Sequence, residues 1–319
     1  MIVKTSDIIS FLKRGKFNSV VLKSLYWKGK YFDPVIGRLL LFIGFTKNYF
    51  DFKEFALLFL PSAFKSERLR KKFSDFLNNE ARMAFKDFID KDGSINLYGT
   101  RFFPPQRNYY ELAGLLLELI VFDQYKVKQY LRDGDIVIDA GANIGSFSVF
   151  ASNIAKRVTV YSFEPVKSTF DILRRNTESY PNIHCYNLGL GNKEGTKEIF
   201  VYPGSTGGST FKDSGMISAR QNRVDELHKE YASIVTIDDF VEKNKIAKVD
   251  FIKIDTEGYE LQILDGAKNT IEKFSPIISV SAYHHDYDKL EIPKLVNSIN
   301  SRYKHDLFAG YEEDFIFYV

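Results

Sequence analysis

The chain has 319 residues, 45% hydrophobic and 27% charged, a balance that predicts packed globular domains and excludes a disordered or fibrous chain. A single cysteine, Cys185, excludes an internal disulfide and a thiolate-rich zinc site, and it fits a reducing, cytoplasmic setting. The net charge of +3 conceals an asymmetry: residues 1–72 hold 15 Lys and Arg against 5 Asp and Glu, and the remainder holds 29 against 36.

A basic, aromatic N-terminal region (1–105) is therefore expected ahead of an acidic body (106–319). Residues 1–10 lack the apolar stretch of a signal peptide. The longest apolar runs, 39–45 and 112–122, are too short to span a bilayer. Residues 1–92 read as helices, with apolar side chains three and four apart over 51–60 and 66–89; the latter carries Leu69, Phe73, Phe76, Leu77, Met83, Ala84 and Phe88. Pro34 and Pro61 punctuate this region, Asp92-Gly93 marks a turn, and Phe102-Phe103-Pro104-Pro105 marks a connector. One helix is expected over 108–131.

After Asp135 short β-rich runs alternate with helical ones. Strands are expected at 136–139, 158–164, 183–187, 249–255, 276–282 and 315–319. Helices are expected at 146–154, 167–179, 259–273 and 289–299. The order predicts an α/β fold with a mostly parallel sheet and helices on both faces. Between 187 and 248 the alternation loosens, with an extra strand over 197–202 and a mobile loop over 204–210. Cys185 falls in a strand and reads as a core residue.

Four groups of residues carry chemistry. In the first, an apolar strand from Ile136 ends in Asp139 and leads into Gly141, Ala142, Asn143 and Gly145, which open a helix. Such a turn lets backbone approach a ligand closely. Asp139 would repel a dinucleotide pyrophosphate and suit the cationic groups of S-adenosyl-L-methionine. In the second, Glu164-Pro165 ends the next strand, where an acid can accept both hydroxyls of a ribose. Asn187-Leu188, ending the third strand, would flank the adenine. The third runs from Val249 through Lys253, Asp255 and Glu257 to Glu260, where a strand-end carboxylate can take a proton from an acceptor hydroxyl or align it. The fourth is Tyr283-His284-His285-Asp286, whose His284 is a second candidate base. A divalent metal on Asp255, Glu257 and a histidine is chemically feasible, but the spacing does not demand one and none is expected.

Together, Asp139-Ala-Gly-Ala-Asn-Ile-Gly145, Phe163-Glu-Pro165, Ile252-Lys-Ile-Asp-Thr-Glu-Gly-Tyr-Glu260 and Leu264-Asp-Gly-Ala267 resemble the FkbM family of methyltransferases over roughly residues 108–319. The resemblance implies the class I methyltransferase fold with its Rossmann-like sheet. It also implies S-adenosyl-L-methionine as cofactor, methyl transfer mostly to oxygen, and work on glycans and sugar-bearing products. It carries Asp139, Gly141, Asn143, Gly145 and Glu164 over as cofactor residues, and Asp255 and Glu257 as site residues. Relatives often place Glu-x-His near the fifth strand's end; here Ser281-Ala-Tyr-His284 lacks the Glu.

The expected function is therefore O-methylation of a saccharide, catalysed by Asp255, Glu257, His284 and Lys253. The acceptor could be lipid-linked, with residues 1–72 meeting an anionic inner-membrane face; no nucleic-acid motif accompanies the charge. One rival is a short-chain NAD(P)-dependent oxidoreductase, which would need a Tyr-x-x-x-Lys pair that the Tyr283–Lys289 region lacks. The other is a non-catalytic cofactor-binding scaffold.

Overall fold

The computed structural model describes residues 67–97, 100–202, 206–214, 227–309 and 312–319. The expected helix at 51–60, both early prolines, the apolar run 39–45 and the start of the 204–210 loop lie outside these residues. Among the described residues, no helix is long and apolar enough to cross a membrane. They divide into two compact units, 67–122 and Asp123–Val319, a division later than the expected 105–106.

In the first unit, helix α1 (Glu67–Ala84) buries Phe76, Leu77 and Ala81 on one face, while Met83 points to solvent. A short hairpin of β1 (Ile95–Leu97) and β2 (Thr100–Phe102) follows. Asn108 caps helix α2 (Tyr109–Leu117) by accepting from Glu111 N at 3.1 Å. The single helix expected over 108–131 does not form. After α2 the chain makes a π-turn at Glu118–Phe122, and Asp123 and Lys126 adopt left-handed backbone, φ 47° and 55°. Only then does the short α3 (Val127–Tyr130) begin. The break buries Gln124 and Tyr125 in the second unit.

The second unit is built on a seven-stranded sheet. In chain order its strands are β3 (Ile136–Ala140), β4 (Thr159–Phe163), β5 (Ile183–Tyr186), β10 (Phe251–Ile254), β11 (Ile277–Ser281), β12 (Lys304–Ala309) and β13 (Glu313–Tyr318). In space they run β12-β13-β11-β10-β3-β4-β5, with only β13 antiparallel to its neighbours. Helices α4 (Ser146–Ile154) and α5 (Lys167–Thr177) connect the first strands. The central strands are apolar because both their faces are covered: Val137, Ile138, Val160, Ile252, Ile254, Ile278 and Val280 are all buried.

A second sheet holds β6 (Gly189–Leu190), β7 (Gly195–Val201), β8 (Thr210–Phe211) and β9 (His228–Val235), ordered β6-β9-β7-β8. Strand β9 and helix α6 (Ile237–Lys243) were not expected. The first half of β9 is polar and exposed, so it shows no apolar alternation. For α6, Thr236 accepts from Asp239 N, a capping pattern legible in Thr236-Ile-Asp-Asp239. The helix expected over 259–273 is two, α7 (Glu260–Asp265) and α8 (Lys268–Phe274). At the junction a Cβ on Gly266 would stand 2.0 Å from Gly191 O. Helix α9 (Asp288–Ile299) leads to the last two strands, and β12, polar and mostly exposed at the sheet edge, was also not expected.

Candidate active site

The chain runs outward from β3 through β4 to β5, then returns to place β10 on the other side of β3. The order therefore reverses between β3 and β10, and open α/β sheets bind ligands at the carboxyl ends of strands flanking such a point. The glycine turn after β3 and the Asp255–Glu260 segment after β10 meet there, with Asp255 N donating to Ala140 O at 3.2 Å.

The turn is held from several sides. Gly141 N and Ala142 N both donate to Phe163 O, at 3.1 and 2.9 Å. Lys253 Nζ donates to Gly141 O at 2.7 Å. Gly141 has φ +74°, and a Cβ there would stand 2.0 Å from Asp255 O. Gly145 serves close packing, since its Cβ would stand 2.7 Å from Leu173 Cδ1. Gly141→Ala is accordingly expected to destabilise the fold by about 1–3 kcal/mol more than Gly134→Ala. Gly134 has a similar φ of +84° but nothing within 4 Å of its Cβ position. Equal urea midpoints for the two variants would contradict this.

Asp139, expected beside the cofactor, is buried in the sheet. Its side chain is 0% exposed, Ser148 Oγ donates to Oδ2, and Lys253 Nζ lies 3.2 Å from Oδ1. Lys253, 4% exposed, also reaches Ala140 O and lies over the Tyr125 and Phe147 rings. Lys253 thus supports the glycine turn, and Asp139 pairs with Lys253 beneath it. The cause is register: Lys253 and Asp139 are direct partners on adjacent strands.

Glu164 faces the turn: Asn143 N donates to Oε2 at 3.0 Å and Val166 N to Oε1 at 2.9 Å. Burial pushes its carboxyl up to about 7, opposed by these two amides and by Lys253 and reinforced by Asp139. Asn187 braces the same segment, donating to the carbonyls of Glu164 and Pro165 at 2.9 Å each, while Leu188 packs against the core. Asn143 Oδ1 is buried without a hydrogen-bond partner.

At the other end, Tyr125 OH donates to Asp255 Oδ2 at 2.8 Å, and Tyr283 OH lies 3.4 Å from Oδ1. Glu257 sits in left-handed backbone, φ 57°, and accepts from Gly208 N at 2.8 Å, while its carbonyl accepts from Thr210 Oγ1 at 2.7 Å. The described part of the 204–210 loop is therefore anchored to the site. His284, 1% exposed, has Nδ1 3.0 Å from Glu260 Oε1 and Nε2 3.6 Å from Glu257 Oε2. Burial opposes its charge, yet Glu260 first, then Glu257 and Asp255, lift its pKa to about 10. This shift favours the imidazolium form, which runs against the expected role of His284 as a base. Burial, then Asp255, pushes Glu312 up to about 7 and Asp314 to about 8.

Tyr125, Glu260, Glu312 and Asp314 join the site although none was a candidate. Glu260 stood inside the recognised motif; nothing local in the sequence marks the others.

A strand-order reversal flanked by a glycine turn and a strand-end acid is the arrangement of a Rossmann-like cofactor-binding fold, as expected of a class I methyltransferase. The profile of the methyltransferase FkbM domain matches residues 139–305. The chain is 30% identical over 168 residues to Methyltransferase 1 of Beauveria bassiana, covering 49% of this chain and 67% of that one. It is 29% identical over 181 residues to the 31-O-demethyl-FK506 methyltransferase FkbM of Streptomyces tacrolimicus, covering 50% and 68%. It is 25% identical over 167 residues to the hexuronic acid methyltransferase AglP of Haloferax volcanii, covering 52% and 63%. The chain belongs to the FkbM methyltransferase family, and its methyl donor is S-adenosylmethionine.

The residues fit that donor. Asn143 Oδ1 offers an unused acceptor, and Glu164 retains lone pairs for hydroxyl donors.

Proposed function

We propose that the chain is an S-adenosylmethionine-dependent O-methyltransferase acting on a hydroxyl of a saccharide. The observation that carries this reading is the meeting of the glycine turn with Asp255 at one strand-order reversal. Two relatives named for hexuronic acid and for a 31-O position support an oxygen acceptor and, in one case, a sugar.

Bound S-adenosylmethionine supplies an electrophilic methyl group. Glu164 would hold the ribose hydroxyls, and the turn at Gly141–Asn143 would hold the rest of the nucleoside side. Asp255, held at Oδ2 by Tyr125, orients the acceptor hydroxyl and takes its proton. Tyr125 is a positioning residue, since its phenol fixes the Asp255 carboxylate. Lys253 moves from catalytic candidate to support of the turn.

The test is transfer of a labelled methyl group to fractionated cell glycans, with mass spectrometry of the product. Label recovered as an ester or amine, or only in non-saccharide material, would overturn the acceptor assignment.

The Glu164 carboxyl gives cofactor affinity a pH dependence. Ribose hydroxyls donate to the ionised form, so binding draws its pKa down. Affinity for S-adenosylhomocysteine is then expected to be roughly tenfold weaker at pH 6 than at pH 8, because protonation competes below about 7. In the free protein the sign is opposite. The folded pKa is raised, so the stability contribution is present below the unfolded carboxylate range and declines as the pH rises through about 7. Glu164→Gln should flatten both profiles in calorimetry and thermal melts; an unchanged affinity profile in this variant would remove Glu164 from the cofactor site.

A further inference from the structure

We propose that Asp255, Glu260 and His284, with Glu257 beside them, form a divalent-cation site at the acceptor end of the cleft. One ligand atom from each of the first three lies within 4.8 Å of the other two. His284 is the observation that points to a ligand. Its side chain is 1% exposed; Nδ1 is ion-paired with Glu260 Oε1 at 3.0 Å, and Nε2 has no hydrogen-bond partner. Nε2 is aimed between Glu257 Oε2 at 3.6 Å and Asp255 Oδ1 at 3.9 Å, too far for hydrogen bonds.

The outer contacts orient these groups as in metal sites. Tyr125 OH holds the other oxygen of Asp255, and Gly208 N the other oxygen of Glu257. Glu260 Oε1 is held by Thr256 N, Thr256 Oγ1 and Gly258 N, and it stands beside Nδ1. Glu257 keeps left-handed backbone, a conformation that non-glycine residues adopt at cost and that clusters at ligand clamps.

Ligand bonds of about 2.0–2.6 Å place atoms on one ion roughly 3–4 Å apart, so the group needs to contract by about 1 Å. Carboxylates with one imidazole and no thiolate suit a hard ion of the Mn²⁺ or Mg²⁺ class. The ion would displace the imidazolium proton from Nε2, screen the facing carboxylates, and offer an open position to the acceptor oxygen. That last role rests on the methyltransferase reading; binding of the ion does not. Residue spacing alone does not demand it, because the group is assembled from two strand ends.

The test is a Mn²⁺ titration of the chelator-stripped full chain, followed by the electron paramagnetic resonance signal of free Mn²⁺. One saturable ion per chain is expected, displaced by excess Mg²⁺. Affinity should fall roughly tenfold or more in Asp255→Asn and Glu260→Gln and stay unchanged in Asp171→Asn on the exposed side of α5. Should Glu260→Gln fail to fold, Asp255→Asn decides, since that side chain is 20% exposed. No saturable binding at millimolar Mn²⁺, or binding that survives Asp255→Asn, overturns the site. Calorimetry with S-adenosylhomocysteine on the same stripped protein separates the two readings: binding of that ligand keeps the methyltransferase reading whatever the Mn²⁺ result.

Discussion

Asp255→Asn is expected to lower kcat by about 10²-fold or more, the low end for losing a general base, while S-adenosylhomocysteine affinity changes little. The asparagine keeps the shape and can still accept from Tyr125 OH. It loses the negative charge that receives the acceptor proton. Glu164 and the glycine turn, which hold the cofactor, contact other atoms. The check is single-turnover transfer of labelled methyl to the active glycan fraction, paired with calorimetry. Turnover within threefold of the parent would remove Asp255 from the mechanism. Tyr125→Phe should give a smaller loss, in kcat rather than KM, because it frees a carboxylate that remains charged.

Lys253→Met is expected to cost about 3–5 kcal/mol of stability, the range for removing one partner of a buried ion pair. Asp139 is fully buried, and its remaining partner, Ser148, is neutral. The variant also removes the donor that holds Gly141 O, so the cofactor turn loosens and affinity for S-adenosylhomocysteine falls with stability. The double variant Lys253→Met, Asp139→Asn should recover part of the loss, because no uncompensated charge is left in the sheet. Urea midpoints give the four corners of that cycle. A single variant within about 1 kcal/mol of the parent, well under the expected range, would mean the pair contributes little to the fold.

These two variants mark the boundary between what could be read and what could not. Both residues stand in one motif, Lys253-Ile-Asp255, and alternation places them on one face. The sequence alone makes them equivalent candidates. In the folded chain Lys253 lies within β10, beside Asp139, whereas Asp255 lies past the strand end. Two residues of strand thus separate a group supporting the turn from one at the cleft.

The α/β order, the glycine turn, Glu164 at the second strand end and the acid after β10 were legible because each depends on local pattern: apolar runs, turn residues, an acid at a fixed offset. Residues 136–140 and 251–254 read as buried strands because both faces are covered by helices, which demands continuous apolar sequence. Strands β9 and β12 escaped notice because each has polar, exposed stretches. The break after Phe122 escaped because a run of helix-compatible residues does not reveal where tertiary packing bends it.

The sequence by itself determined the fold class, the family and the residues at the strand ends, since these follow from short-range periodicity and motif. Only the tertiary structure decided their electrostatic roles. Asp139 is paired with a lysine 114 positions away in register, and three carboxylates around His284 favour its protonated form. Tyr125 holds Asp255 across a separation of 130 residues. A charge's role depends on which other charges and donors share its low-dielectric surroundings, and that company is chosen by strand order and register rather than by sequence neighbours.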